Sequence, residues 1–175
     1  MSKKSASKSS SSKAAVANAP RAYMPPSATD NWATPQATFD VLHAEFGFTL
    51  DPCASASNHK CPRYFTKKQN GLLRDWGTET VYCNPPYGRE IADWMAKADA
   101  AAQAGATVVM LVPNRTDTKW YHDVAEKHEV RFLKGRLKFG GSKNAAPFGS
   151  MVVVLRPPRA TVRCASCGSC ALRAA

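Results

Sequence analysis

Acidic residues are absent before Asp30 and after Glu129; all thirteen lie between these positions of the 175-residue chain. The two ends carry positive charge alone, from Lys3, Lys4, Lys8, Lys13 and Arg21 at one and Arg156, Arg159, Arg163 and Arg173 at the other. Most of the net charge of +11 therefore sits on the ends. Such a balance suits a polyanionic partner, and equally a solubilising appendage. Long apolar runs are missing too. No window approaches the roughly eighteen apolar residues that a membrane helix needs, which excludes a membrane-spanning helix. No apolar stretch near the start resembles a secretion signal, so cytoplasmic residence is expected.

Cysteine pairing is not in evidence. Cys53, Cys61 and Cys83 are scattered singly and are expected to be reduced. Cys164, Cys167 and Cys170 have the spacing at which thiolates share a zinc ion or an iron–sulfur cluster, but no fourth Cys or His follows, so no metal site is predicted. His43, His59, His122 and His128 share no ligand spacing and read as structural or solvated residues.

What is present is a single domain's worth of chain, with 44% hydrophobic residues. Residues 1–29 are a low-complexity Ser/Lys/Ala tail and a Pro-rich lead-in, expected to be disordered. Residues 30–156 form the patterned domain, and 157–175 a second basic tail that contains the three clustered cysteines. Within the domain, Phe39, Leu42 and Phe46 recur at helical spacing behind Thr34-Pro35, which predicts a helix over 35–46 capped by Thr34. Strands are expected at 48–50, ending at Asp51, at 63–66, and at 81–83, ending at Asn84. Ile91, Trp94, Met95, Ala98 and Ala102 stripe a second helix that Gly105 terminates. Thr107 to Val112 reads as a central strand buried on both faces. Thr116 or Asp117 caps a third helix with Trp120, Tyr121 and Val124 inward; strands at 130–133 and 150–155 close the pattern. The alternation predicts an α/β fold of three layers around a mostly parallel sheet, with an antiparallel hairpin at the C-terminal end. In such sheets ligands bind beyond the carboxyl ends of the strands, which selects Asp51, the Asn84 loop and the Pro113 loop.

Asn84-Pro85-Pro86-Tyr87 stands at one of those strand ends. An exocyclic amine on an aromatic ring is a weak nucleophile because its lone pair is delocalised. An Asn side-chain oxygen and the following Pro carbonyl, both aimed at the amine hydrogens, would draw the nitrogen toward tetrahedral geometry and stabilise the charge that grows on alkylation. The prolines hold those acceptors in place beforehand, and Tyr87 offers a flat face to a base. No general base is needed, since the methylated amine loses its proton to solvent. Arg131, Lys134, Arg136, Lys138 and Lys143, interleaved with Phe132 and Phe139, form either a phosphate track or a solvated basic edge. Readout of a nucleic-acid sequence would fall to this stretch, to the Pro113–Lys119 loop with Arg115 and Lys119, or to a second subunit.

Trp32-Ala33-Thr34-Pro35, Asp51-Pro52-Cys53-Ala54, Asn84-Pro85-Pro86-Tyr87, Gly135-Arg136-Leu137-Lys138-Phe139 and Ala146-Pro147-Phe148 together resemble the compact phage-type DNA N-6-adenine methyltransferases. The resemblance covers about residues 30–155. It implies a Rossmann-like S-adenosylmethionine-dependent methyltransferase sheet, DNA as partner, and the cytoplasm of a bacterial or phage-infected cell. It assigns Asn84, Pro85, Pro86 and Tyr87 to a flipped target adenine, and Thr34 and Pro35 to the methionine end of the cofactor. Asp51, Pro52, Cys53 and Ala54 become the first cofactor loop, Asp75 and Trp76 neighbours of the cofactor adenine. The chain departs from related enzymes in two places: Ala54-Ser55-Ala56-Ser57 replaces a glycine-rich loop, and Thr66-Lys67-Lys68-Gln69-Asn70 stands where an acid usually grips the ribose. The same tetrapeptide could serve an RNA or a protein glutamine, and the glycine-poor loop would also suit a nucleic-acid-binding protein without cofactor.

Overall fold

The structure is a computed structural model that describes residues 32–158 apart from Lys143. Most of both basic tails, with Cys164, Cys167 and Cys170, lies outside the described residues. In chain order the main elements are α1 (Gln36–Phe46), β1 (Leu50–Ala54), β2 (Arg63–Thr66), β3 (Thr80–Cys83), α2 (Ile91–Gln103), β4 (Thr107–Pro113), α3 (Lys119–Asp123), β5 (Glu129–Phe132) and β6 (Ser150–Leu155). The strands form one mixed six-stranded sheet in the order β2-β1-β3-β4-β6-β5. β1 to β4 are mutually parallel, and β6 lies antiparallel between β4 and β5. The antiparallel pair expected at the end of the chain is thus β5 with β6, and β6 alone runs against the others.

The apolar run of β4 behaves as its composition demands. Val108, Met110 and Val112 point to one face and pack with Ile91, Met95 and Ala98 of α2. Val109 and Leu111 point to the other and pack with Phe39 and Leu42 of α1. All five β4 side chains are fully buried. Burying each one contributes about 1.5–3 kcal/mol, so the central strand is the mechanical anchor for the loops at its end. β6 repeats the pattern, with Met151, Val153 and Leu155 on the α2 side and Val152 and Val154 on the α1 side. After α2 the chain reverses through Gly105 at φ +116°, a conformation that side-chain-bearing residues rarely adopt.

Three local expectations are corrected. Thr34 does not cap α1: the helix begins at Gln36 with Pro35 in the cap position, because the Thr34 hydroxyl is drawn to Tyr82 and Asn84 instead. α3 is capped at Thr118, not Thr116 or Asp117, and is short; the chain breaks at Val124 into a 3-10 turn over Ala125–Lys127. β1 does not stop at Asp51 but continues to Ala54. No helix among the described residues is long and apolar enough to cross a membrane.

Candidate active site

β1 pairs with β2 on one side and β3 on the other, so the chain winds outward in both directions from the boundary between β1 and β3. The loops leaving β1 and β3 face each other there, and beyond the strand ends lies a cavity of about 1190 Å³. Its walls are Trp32 to Thr34, Asp51 to Ser55, Thr66 to Leu72 in part, and Asn84 to Pro86, with Glu90 and Trp94 from the α2 side. A space of this size accommodates a nucleoside-sized ligand with room to spare.

Asn84 is positioned from three directions. β3 delivers it to the cavity. Its side-chain N–H groups donate to the Trp32 carbonyl and, over 3.0 Å, to the Thr34 hydroxyl. The Thr34 hydroxyl is in turn bonded to the Tyr82 hydroxyl at 2.6 Å in buried surroundings. Because a carbonyl can only accept, the Trp32 oxygen dictates which way the Asn84 amide faces. The amide oxygen is consequently turned away from those groups: it is buried and has no partner among the described residues. An unpaired buried acceptor costs about 1–3 kcal/mol, so a ligand that donates to it recovers that cost.

Tyr87 is held as firmly. Its hydroxyl donates to the Leu111 carbonyl of β4 at 3.2 Å, and its ring meets Phe139 and Phe148 edge-on at 6.0 and 5.6 Å. Trp32 packs edge-on against the same two phenylalanines. Burial pushes the Tyr87 phenol well above its ordinary range, so it stays neutral. Tyr87 does not line the large cavity; it lines a second one of about 390 Å³ with Arg89, Pro113, Arg115 and Trp120. Phe139 and Phe148 fall within the segments that carry the family resemblance, and their work as a buttress for Tyr87 was not foreseen from spacing.

The loop after β1 is organised by Asp51. Its carboxylate accepts from the backbone N–H of Cys53 at 3.2 Å and of Lys60 at 3.1 Å, while burial raises its proton affinity above the usual carboxylate range. Asp51 therefore shapes the cavity wall as a turn carboxylate. Gly71 lies so close to this loop that a Cβ would stand 2.2 Å from the Pro52 carbonyl oxygen. Cys53 and Cys83 place their sulfurs 3.6 Å apart on neighbouring strands; burial pushes the Cys53 thiol well up, which makes it an inert neutral group.

The structure brings Thr34, Asp51, Pro52, Cys53, Ala54, Asn84, Pro85 and Pro86 to one cavity, whereas Tyr87, Asp75 and Trp76 do not line it. Asp75 accepts from Gly77 N, and Trp76 is buried against Trp94 with its N–H on the Gly71 carbonyl. Pro35 caps α1 beside the cavity wall. Arg115, Lys119, Lys134, Arg136 and Lys138 are exposed and make no ion pair among the described residues; Lys143 lies outside them. Arg131 leaves the proposed phosphate track, since Glu45 and Glu129 hold its guanidinium at 2.6 Å. Among the described residues no cluster of three or more His, Cys, Asp or Glu could hold a metal ion. His128 and His122 pair with Asp99 and Glu126, and His43 accepts from Phe48 N.

An α/β protein with a preformed acceptor beyond the end of a parallel strand, at the winding switch of its sheet, is the class these observations define. The family model described as DNA N-6-adenine-methyltransferase (Dam) matches residues 21–170, and the chain belongs to that family. It is 30% identical over 104 residues to the DNA N-6-adenine-methyltransferase of Escherichia phage T1; the match spans 58% of this chain and 43% of the phage protein. It is 35% identical over 65 residues to YfdM of Escherichia coli (strain K12), named as a candidate methyltransferase, over 33% of this chain and 71% of that protein.

Proposed function

We propose that this chain methylates the exocyclic amine of adenine in DNA, using S-adenosylmethionine, and that its sheet is of the Rossmann-like methyltransferase type with β6 inserted antiparallel. The observation that carries the reading is the buried oxygen of Asn84, left without a partner among the described residues while Trp32 and Thr34 hold the amide nitrogen. Family membership and the name of the phage T1 relative support the same chemistry.

The residues present fit the cofactor. Asn84 and Trp94 both line the cavity, and among the described residues the Asn84 amide oxygen and the Trp94 indole N–H are buried without a partner, one an acceptor and one a donor. Thr34 and the Asp51–Ala54 loop would hold the cofactor from the β1 side, and when bound it supplies an electrophilic methyl group. Asn84 and the Pro85 carbonyl accept the two hydrogens of the target amine, pull its lone pair out of conjugation and stabilise the positive charge that develops. Tyr87, neutral and braced by Phe139 and Phe148, gives the extruded base a stacking surface, which offsets part of the few kcal/mol spent on unstacking. The proton leaves to water after transfer; no side chain in the cavity is needed to remove it.

A substrate panel tests this reading. Tritiated S-adenosylmethionine with duplex DNA, single-stranded DNA, RNA or a glutamine-containing protein should label DNA alone. Label confined to RNA or protein would replace the proposed substrate, and label in none of them would reject the activity.

A further inference from the structure

The large cavity holds two polar side chains that chemistry at Asn84 leaves idle. Trp94 is 6% exposed and lines the cavity, yet its indole N–H has no acceptor among the described residues. Glu90 also lines it and has no hydrogen-bond or ion-pair partner among the described residues. The backbone N–H of Trp94 donates to the Glu90 carbonyl at 3.1 Å, so the two side chains stand one helical turn apart and share a face at the start of α2. Asp51 is the other carboxylate on the cavity wall, and both its oxygens are occupied by backbone N–H groups. At the end of β2 the wall is Thr66, Lys67 and Asn70, with no acid among them.

A donor-only indole beside an acceptor-only carboxylate complements a group that both accepts and donates. A ribose hydroxyl pair and an aminopurine edge have that character. The surroundings favour a flat, weakly polar ligand over a zwitterion: Trp94 stacks on Trp76 with ring centroids 6.4 Å apart, and Leu72 and Gly71 border the same wall. We infer that Glu90 and Trp94 grip the adenosine end of the cofactor from α2, in place of the acid that this chain lacks at the end of β2. The inference rests on the proposed use of S-adenosylmethionine.

Calorimetric titration of the full chain with S-adenosylhomocysteine, and separately with adenosine, tests it on wild type, Trp94→Phe and Glu90→Ala. Each substitution should weaken both ligands by about tenfold, the scale of one lost hydrogen bond to a ligand. DNA affinity should not change. Glu90 is exposed, so Glu90→Ala remains informative even if Trp94→Phe, in the core, folds poorly. Unchanged binding of S-adenosylhomocysteine in Glu90→Ala, or in a folded Trp94→Phe, overturns the inference while leaving the proposed activity intact. So does a loss for S-adenosylhomocysteine with none for adenosine, which would place the pair at the amino-acid end. Failure of wild type to bind S-adenosylhomocysteine overturns both proposals together.

Discussion

Replacing Asn84 by Ala separates chemistry from architecture at one side chain. In the structure the carboxamide does two things. Its N–H groups satisfy the Trp32 carbonyl and the Thr34 hydroxyl, and its oxygen waits unpaired. Losing the two donated bonds costs about 0.5–1.5 kcal/mol of stability each, because water reaches part of the vacated space. Losing the oxygen removes an acceptor whose attraction grows as charge develops on the amine, typically about 2.7–4 kcal/mol of barrier, or a hundred- to a thousandfold in rate. The two effects are read separately. Thermal unfolding reports the first; single-turnover methyl transfer at saturating cofactor and DNA, well below the unfolding temperature, reports the second. Cofactor and DNA affinities should be nearly unchanged. Asn84→Asp keeps an acceptor but sets a carboxylate against the Trp32 carbonyl, so partial activity at best is expected. A folded Asn84→Ala that turns over at the wild-type rate would reduce the tetrapeptide to a rigid turn and remove the mechanism.

Three other outcomes follow from the same geometry. Tyr82→Phe keeps the ring packed on Phe39 and Phe48 but unties Thr34, so the single-turnover rate and the S-adenosylhomocysteine affinity should each fall about two- to tenfold; both unaltered would show that Thr34 holds its place unaided. Arg131 holds the carboxyls of Glu45 and Glu129 below their usual range. Groups with lowered values contribute stability above the ordinary carboxylate range and lose it as pH falls through the lowered values. The urea-unfolding gap between wild type and Arg131→Met should therefore narrow on acidification, and a gap that widens would refute the pairing. Neutralising Lys134, Arg136 and Lys138 together should flatten the slope of log DNA affinity against log salt by two to three units, since each phosphate contact supplies about one; an unchanged slope makes the stretch a solvated edge.

The parts of the fold that could be read in advance are those whose cause is local. Val108 to Val112 and Met151 to Leu155 are unbroken apolar runs because both faces are covered, and both lie in central strands close to the expected limits. Thr34 went the other way. Its local pattern with Pro35 spelled a helix cap, but its hydroxyl found Tyr82, forty-eight positions on, and no periodicity reports a contact at that distance. Trp94 read as a packing residue from its place in the α2 stripe, and it does pack, yet a stripe cannot reveal an indole N–H without an acceptor. Asp75 and Trp76, assigned to the cofactor adenine by resemblance, stand off the cavity wall: the Trp76 indole donates to the Gly71 carbonyl, and the wall there is made by Asn70 to Leu72. The position of the Asn-Pro-Pro-Tyr loop after a strand was legible because its residues are contiguous, whereas the aromatic packing of Tyr87 on Phe139 and Phe148, and of these on Trp32, joins distant segments.

The most direct measurement incubates the purified chain with unmethylated DNA and S-adenosylmethionine, digests the product to nucleosides and separates them by chromatography with mass detection. The account predicts N6-methyldeoxyadenosine in the wild-type reaction and a hundred- to a thousandfold less of it, at matched early times, with Asn84→Ala. Methylated cytosine in its place, or equal yields of methylated adenine from the two proteins, would contradict it.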